Sequence, residues 1–137
     1  EKAQAVLIKN PDSVVIGADT VVVVNNEILG KPQNLAEAKI MLKKLSNKTH
    51  FVYTGVSILA EGIKESRLIA TQVFVKKLEE EELDEYIQTE NILDAAGAYK
   101  IQGSFAKFIE KIEGDYLNIV GFPLNWVYEK LKTRQFI

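Results

Sequence analysis

The residue types that could carry chemistry begin with Asp19. It stands inside VVIGADTVVVV (14–24), where every other residue is apolar, small or a β-branched threonine, the pattern of a strand buried on both faces. An unpaired ionised carboxylate in such a strand is costly or takes up a proton, so Asp19 needs a cation, a metal or a substrate group to meet it. Two roles suit it: metal ligand, or general base toward a water. The competing structural role is a carboxylate satisfied by backbone amides at a strand bulge.

Lys31, in Gly30-Lys31-Pro32, is the second candidate. A phosphate-binding P-loop is excluded, because that motif needs Ser or Thr after the lysine and Gly where Asn25 stands. A haloacid-dehalogenase-type phosphatase is excluded too, since its second Asp is replaced here by Val21. An isolated lysine is ordinarily solvated surface. The hairpin register is what singles Lys31 out: with Asn25-Asn26 as a two-residue turn, Val24 faces Glu27, Thr20 falls opposite Lys31, and the lysine lands beside Asp19. There it would meet phosphate as a point charge.

Gln102 sits in GAYKIQG (97–103), whose glycines allow close backbone approach to a ligand. Its amide can donate and accept at once, as reading a nucleobase edge requires, although an ordinary loop glutamine is the simpler alternative. Thr54-Gly55 and Asp115-Tyr116 read first as turn residues. His50, the only histidine, has no neighbours of metal-ligand type and receives no role. The charge run from Lys76 to Glu85 reads as a solvated helix face.

The elements that must position these residues follow from periodicity. Glu1 to Lys9 reads as an amphipathic helix with Ala3, Val6 and Leu7 inward, stopped by Asn10-Pro11. The strand Val14 to Val24 turns at Asn25-Asn26 into a short return, Glu27 to Leu29. Asn34 caps a helix running to Leu45, with Glu37 in the capping-box position and Leu35, Ala38, Leu42 and Leu45 on its inner face. Thr49 to Ala60 and Ser66 to Val75 predict two long antiparallel strands joined at Glu61-Gly62. Glu79 to Gln88 is an acidic helix with Leu83, Tyr86 and Ile87 inward. Ser104 to Ile112 reads as a strand ending in a turn at Glu113-Gly114-Asp115. Pro123 opens a last helix with Leu124, Val127, Tyr128 and Leu131 as core face. The order points to a mixed-sheet α/β or α+β domain.

Composition narrows the classes. The 137 residues, 47% apolar and 26% charged, suit one domain with a sizeable core. Seventeen Lys and Arg against nineteen Asp and Glu leave a net charge of −2, which gives no overall field for nucleic acid or an anionic membrane. Zero cysteines exclude a disulfide framework and a Cys-based zinc site, and agree with a cytoplasmic location. No apolar run approaches the roughly 20 residues of a membrane span.

Taken together, GADTVV (17–22), GKP (30–32), HFVYTGV (50–56), AGAYKIQG (96–103), EKIEGDYLNIVGFPL (110–124) and the helix from Asn34 to Leu45 resemble the Maf family of nucleoside triphosphate pyrophosphatases over nearly the whole chain. The resemblance implies a single domain over 1–137 with an inosine triphosphate pyrophosphatase-like fold, a long bent mixed sheet around a nucleotide cleft. It implies cleavage of a nucleoside triphosphate to monophosphate and pyrophosphate with a divalent metal, Mg or Mn, in a cytoplasmic enzyme that forms a homodimer. By motif match, Asp19 takes the proton-acceptor role, and Lys31 and Lys2 face the phosphates. Thr20 and Gln102 match the positions that mark the branch acting on dTTP and UTP, with modified nucleotides as further candidates. The family's opening Ser-x-Ser-Pro-Arg-Arg loop has no counterpart here, so the expectation is a domain truncated at its N-terminus. A non-catalytic nucleotide-binding or regulatory domain is the alternative function.

Overall fold

Asn25 and Asn26 both adopt left-handed backbone in the computed structural model, with φ of 49° and 62°. Two such residues in succession make the turn whose twist matches that of the flanking strands. They fold β1 (Val15–Val24) onto β2 (Glu27–Leu29), with Val24 opposite Glu27 and Val22 opposite Leu29, in the register expected from the sequence. The structure describes residues 2–137; Glu1, expected in the first helix, lies outside the described residues.

β3 (Thr49–Ala60) pairs with β1 on one side and with β4 (Ile63–Val75) on the other, and β5 (Ile109–Glu113) closes the far edge. The sheet order is β2-β1-β3-β4-β5. The α/β class is as expected, while every strand pairing among the described residues is antiparallel where a mixed sheet was expected. β4 begins at Ile63, three residues before the expected Ser66, because Gly62 (φ 73°) turns the chain at once.

Alternation along β3 decides which face holds the core. His50, Val52, Thr54, Val56 and Ile58 are all buried on one face. The upper part of that face is covered by α2 (Leu35–Leu45) and α3 (Glu80–Thr89), which supply Ala38, Met41, Leu42, Leu45, Leu83 and Tyr86 to the main core. Its lower part, at Val56 and Ile58, is covered by α5 (Leu124–Thr133) through Val127, with Trp126 and Leu131 alongside. Between the two lies α4 (Tyr116–Val120), a short helix capped by the Asp115 carboxylate, which accepts from Leu117 N–H at 2.9 Å. α1 (Lys2–Lys9) packs on the opposite face through Ala3, whose methyl stands where a side chain at Gly17 would begin.

Several expectations are corrected. β1 is not buried on both faces: Val22 and Val24 are buried, but Ile16, Ala18 and Asp19 are exposed. The reason is that β2 pairs only with Val22 to Val24 and leaves the first half of β1 as an open edge. Val6 faces solvent and Ala3 alone in α1 is buried. In α2 Met41 takes the inward place expected of Leu35, which sits on the exposed first turn. Asn34 caps that helix as expected, accepting from Glu37 N–H at 2.8 Å. Ser104–Phe108 is a 3₁₀ turn rather than strand, since Phe105 and Phe108, three apart, must both enter the core. Leu124 and Tyr128 are exposed, and Val127 is the buried residue of α5. Thr54-Gly55 belongs to β3 and not to a turn.

Gly62 and Gly97 separate conformational from packing cost, as both have positive φ (73° and 71°) but only Gly97 is crowded, a side chain there meeting Val22 at 3.0 Å. Gly62→Ala should cost about 1 kcal/mol. Gly97→Ala should cost roughly 1–3 kcal/mol more. Urea unfolding of the two variants measures this, and equal losses would contradict the packing at Gly97.

Candidate active site

The open edge of β1 places Asp19. Strand alternation sends Asp19 to the face of Gly17 and Ser57, toward α1, and Thr20 to the face of Val22 and Thr54. Because no strand covers this edge, Asp19 lies in the walls of two clefts. The larger, of about 430 Å³, is also lined by Thr20, Lys31, Asp94, Lys100 and Gln102. The smaller, of about 380 Å³, contains Lys2. Both volumes fall in the range of small-ligand sites. The expected residues are thus gathered at one edge: Asp19, Thr20, Lys31 and Gln102 around one cleft, with Lys2 across the edge in the next.

Lys31 arrives by a different route from the expected one. The β1–β2 ladder stops at Leu29, because the Gly30 carbonyl instead accepts the Gly97 N–H at 3.1 Å and Pro32 has no N–H to offer. Lys31 is therefore not a ladder partner of Thr20, but it reaches the same cleft. The Gly30–Gly97 bond also anchors the loop carrying Gln102 to the GKP segment.

That loop is held from below. Tyr99 is buried, stacked on Phe105 with ring centroids 4.6 Å apart, and its hydroxyl lies 2.6 Å from His50 Nε2. The Tyr86 hydroxyl accepts the Lys100 N–H at 3.2 Å, and Glu90 accepts from both the backbone N–H and the hydroxyl of Ser104. Gln102 is exposed on this fixed base. Lys100 Nζ sits 3.2 Å from the Asp94 carboxylate, and that contact holds the Asp94 acid below the usual carboxylate range. Among the described residues none of the ion pairs involves Asp19, which is exposed at the edge and open to a ligand.

Behind Thr20 lies a polar network inside the sheet. Its hydroxyl is 2.8 Å from that of Thr54, which in turn donates to the Asn118 carbonyl at 3.3 Å. The Asn118 amide nitrogen is within 3.0–3.1 Å of the Val52 and Ile69 carbonyls and the Thr71 hydroxyl, stapling α4 across β3 and β4. Thr54, Thr71 and Asn118 are fully buried. Of these the sequence singled out only Thr54, as a turn residue, and it singled out neither Lys100 nor Asp94. A threonine alternating with buried Val52 and Val56 was the available signal at Thr54.

A divalent cation fits this donor set. No group of three His, Cys, Asp or Glu side chains gathers among the described residues, which argues against an all-protein cage. Asp19 and Asp94 are the two carboxylates of the cleft, and Mg²⁺-like ions are held by one or two carboxylates with substrate phosphates and water supplying the rest.

The family model for Maf-like proteins matches residues 1–134. A protein of Bacillus anthracis named dTTP/UTP pyrophosphatase is 47% identical over 132 residues, which is 96% of this chain and 69% of that protein. Proteins of the same name from Bacillus cereus and Bacillus thuringiensis are 48% and 47% identical, with the same 96% and 69% shares.

His50 beneath the loop should make stability pH-dependent. Burial lowers its pKa from 6.5 to about 4, so the folded chain keeps it neutral while the unfolded chain protonates it. Its contribution is complete above the unfolded value and is lost as pH falls from there toward the folded one. Between about pH 7 and about pH 5 the loss should be about 2 kcal/mol. Urea unfolding of the native chain and His50→Asn at both pH values checks this: the advantage of histidine should shrink on acidification, and parallel curves would contradict it.

Proposed function

We propose, from the premise that this chain belongs to the Maf family, that it hydrolyses nucleoside triphosphates, dTTP and UTP in particular, to the monophosphate and pyrophosphate. It is a hydrolase of acid anhydrides in nucleotide metabolism. The observation that carries the site assignment is the position of Asp19: an unpaired carboxylate on a bare strand edge, shared by a cleft with Lys31 and Gln102 and a cleft with Lys2.

A triphosphate lying over that edge would have cationic side chains on both sides. In this reading Asp19 takes a proton from the water that attacks the α-phosphorus. The bond from that phosphorus to the α,β-bridging oxygen breaks, and pyrophosphate departs. Lys31, Lys2 and Lys100 neutralise the phosphates and the leaving group, fixed charges that hold the reactants in line. Thr20 and Gln102 present hydroxyl and amide groups toward the base. Asp19 and Asp94 would hold a divalent cation, Mg or Mn, which when bound adds further neutralisation of phosphate charge. The family resemblance also supports a homodimer acting in the cytoplasm. No helix among the described residues is long and apolar enough to cross a membrane.

Pyrophosphate release from dTTP and UTP with Mg²⁺ or Mn²⁺ tests the activity, and its absence from the unaltered chain would overturn it. Asp19→Asn should lower kcat by about 10²–10⁴-fold, the range for loss of a positioned base, with nucleotide affinity changed only slightly. Lys31→Ala should act chiefly on KM, raising it roughly tenfold by removing a phosphate contact. An Asp19→Asn variant that keeps its kcat would reassign the base.

A further inference from the structure

Gly55 has none of the ordinary reasons to be a glycine. It stands in the middle of the 12-residue strand β3, where a missing side chain weakens a strand by backbone entropy and lost packing. Its φ is not positive; the left-handed glycines among the described residues are Gly62, Gly97, Gly114 and Gly121. No bulge explains it either. β3 keeps unbroken register with both neighbours, and Gly55 lies opposite Asp19 on β1 and Leu68 on β4. Packing is no reason, because a methyl at Gly55 would meet no atom of the described residues within 4 Å. At Gly17, two residues before Asp19, the same methyl would stand 3.0 Å from Ala3.

A strand glycine left unexplained by conformation and packing marks a place where something else comes close to the backbone. Its surroundings say what. Gly55 shares a sheet face with Asp19 and lines with it the smaller cleft, of about 380 Å³, into which Lys2 brings a positive charge. A side chain at Gly55 would begin about 5 Å from the Asp19 Cβ, and so would stand in that cleft.

We propose that the bare backbone at Gly55 is part of the substrate site, the floor on which the β- and γ-phosphates lie between Asp19 and Lys2. The inference rests on the nucleotide reading above and deepens it. The larger cleft holds Thr20, Lys31 and Gln102, so a nucleotide with its base there crosses the β1 edge at Asp19 and carries its outer phosphates over Gly55. The number of phosphates is thereby read sterically, since a monophosphate ends at the edge and does not reach the floor. The attacking water then comes from the larger cleft, opposite the departing pyrophosphate.

The test compares the unaltered chain with Gly55→Ala and Gly55→Val. Titration calorimetry measures binding of UMP, inorganic pyrophosphate and a non-hydrolysable α,β-imido analogue of UTP, and urea unfolding measures stability. Both substitutions should raise the urea midpoint, because a side chain in open space on extended backbone restricts the unfolded chain and strains nothing. Both should weaken pyrophosphate and the UTP analogue, valine by about tenfold to a hundredfold and alanine by less, with UMP unchanged. A stability gain joined to a loss of these two ligands is a result that a structural role for Gly55 does not produce.

A lowered midpoint in Gly55→Ala would show that the fold itself needs the glycine, and would overturn the proposal. Unchanged affinities in Gly55→Val would overturn it too, as would a loss for UMP as large as that for pyrophosphate, which would put the nucleoside over Gly55. The titrations are repeated without divalent cation, and losses seen only in its presence would put the cation there instead and overturn the phosphate assignment. An unaltered chain that binds none of the three probes would defeat the nucleotide reading and this inference with it. Binding with the expected losses but no pyrophosphate release from dTTP or UTP would defeat the catalytic reading and leave this one standing.

Discussion

The hydrogen bond from Gly97 N–H to the Gly30 carbonyl is the interaction on which the site depends. It diverts the chain out of the sheet just after Leu29, so β2 covers only the last three residues of β1. Exposed strand edges are usually blunted, because unpaired backbone groups invite pairing with another chain. Here the edge is kept bare beside Asp19 and flanked by lysines, which suits a polyanionic ligand. The same bond pulls the loop 97–103 against the strand, so a single contact opens one wall of the cleft and sets the position of the other.

Rigidity around this opening comes from burial of polar groups that are nearly all satisfied. Asn118 joins two strands to a helix too short to be stable by itself, and His50 pins Tyr99 under the Gln102 loop. In a low-dielectric interior such bonds are costly to leave unmade, so they fix side chains with a specificity that apolar packing alone does not give. The exposed cleft-lining groups, Asp19, Lys31 and Gln102, are each one step removed from a buried anchor. The ion pairs of the outer helices, such as Lys39 with Glu80 and Asp84, are exposed and add little to this frame.

Local chemistry was legible in the sequence wherever a short range decided the outcome. Asn25-Asn26 specified the turn and the register, and the β-branched content of 49–60 specified β3 to the residue. Of the chemical candidates, Asp19, Thr20, Lys31 and Gln102 line one cleft, while Lys2 lines the neighbouring one. What could not be read was the exposure of Asp19, because an all-apolar run does not reveal that its neighbouring strand ends early. The contact that ends it joins residues 30 and 97. The turn at 104–108 was misread as strand on its aromatic and apolar content, although Phe105 and Phe108, three apart, would fall on opposite faces of a strand and enter one core only in a tighter turn. Asn118 escaped notice because a polar residue on a short helix looks like solvent-facing surface until its partners on β3 and β4 are in place.

The β3–β4 hairpin closes across two residues, while β1 must find β3 from much farther along the chain, 34 residues separating Thr20 from Thr54. Loop-closure entropy makes the second pairing the slower and costlier one to form. The cleft lined by Thr20 therefore lies along a long-range pairing, with a closure cost matched in this sheet by β4–β5, where Val75 meets Ile109. A ligand bridging Thr20 on one side of that pairing and the 97–103 loop on the other would act as a fastener, holding the sheet closed in proportion to its concentration.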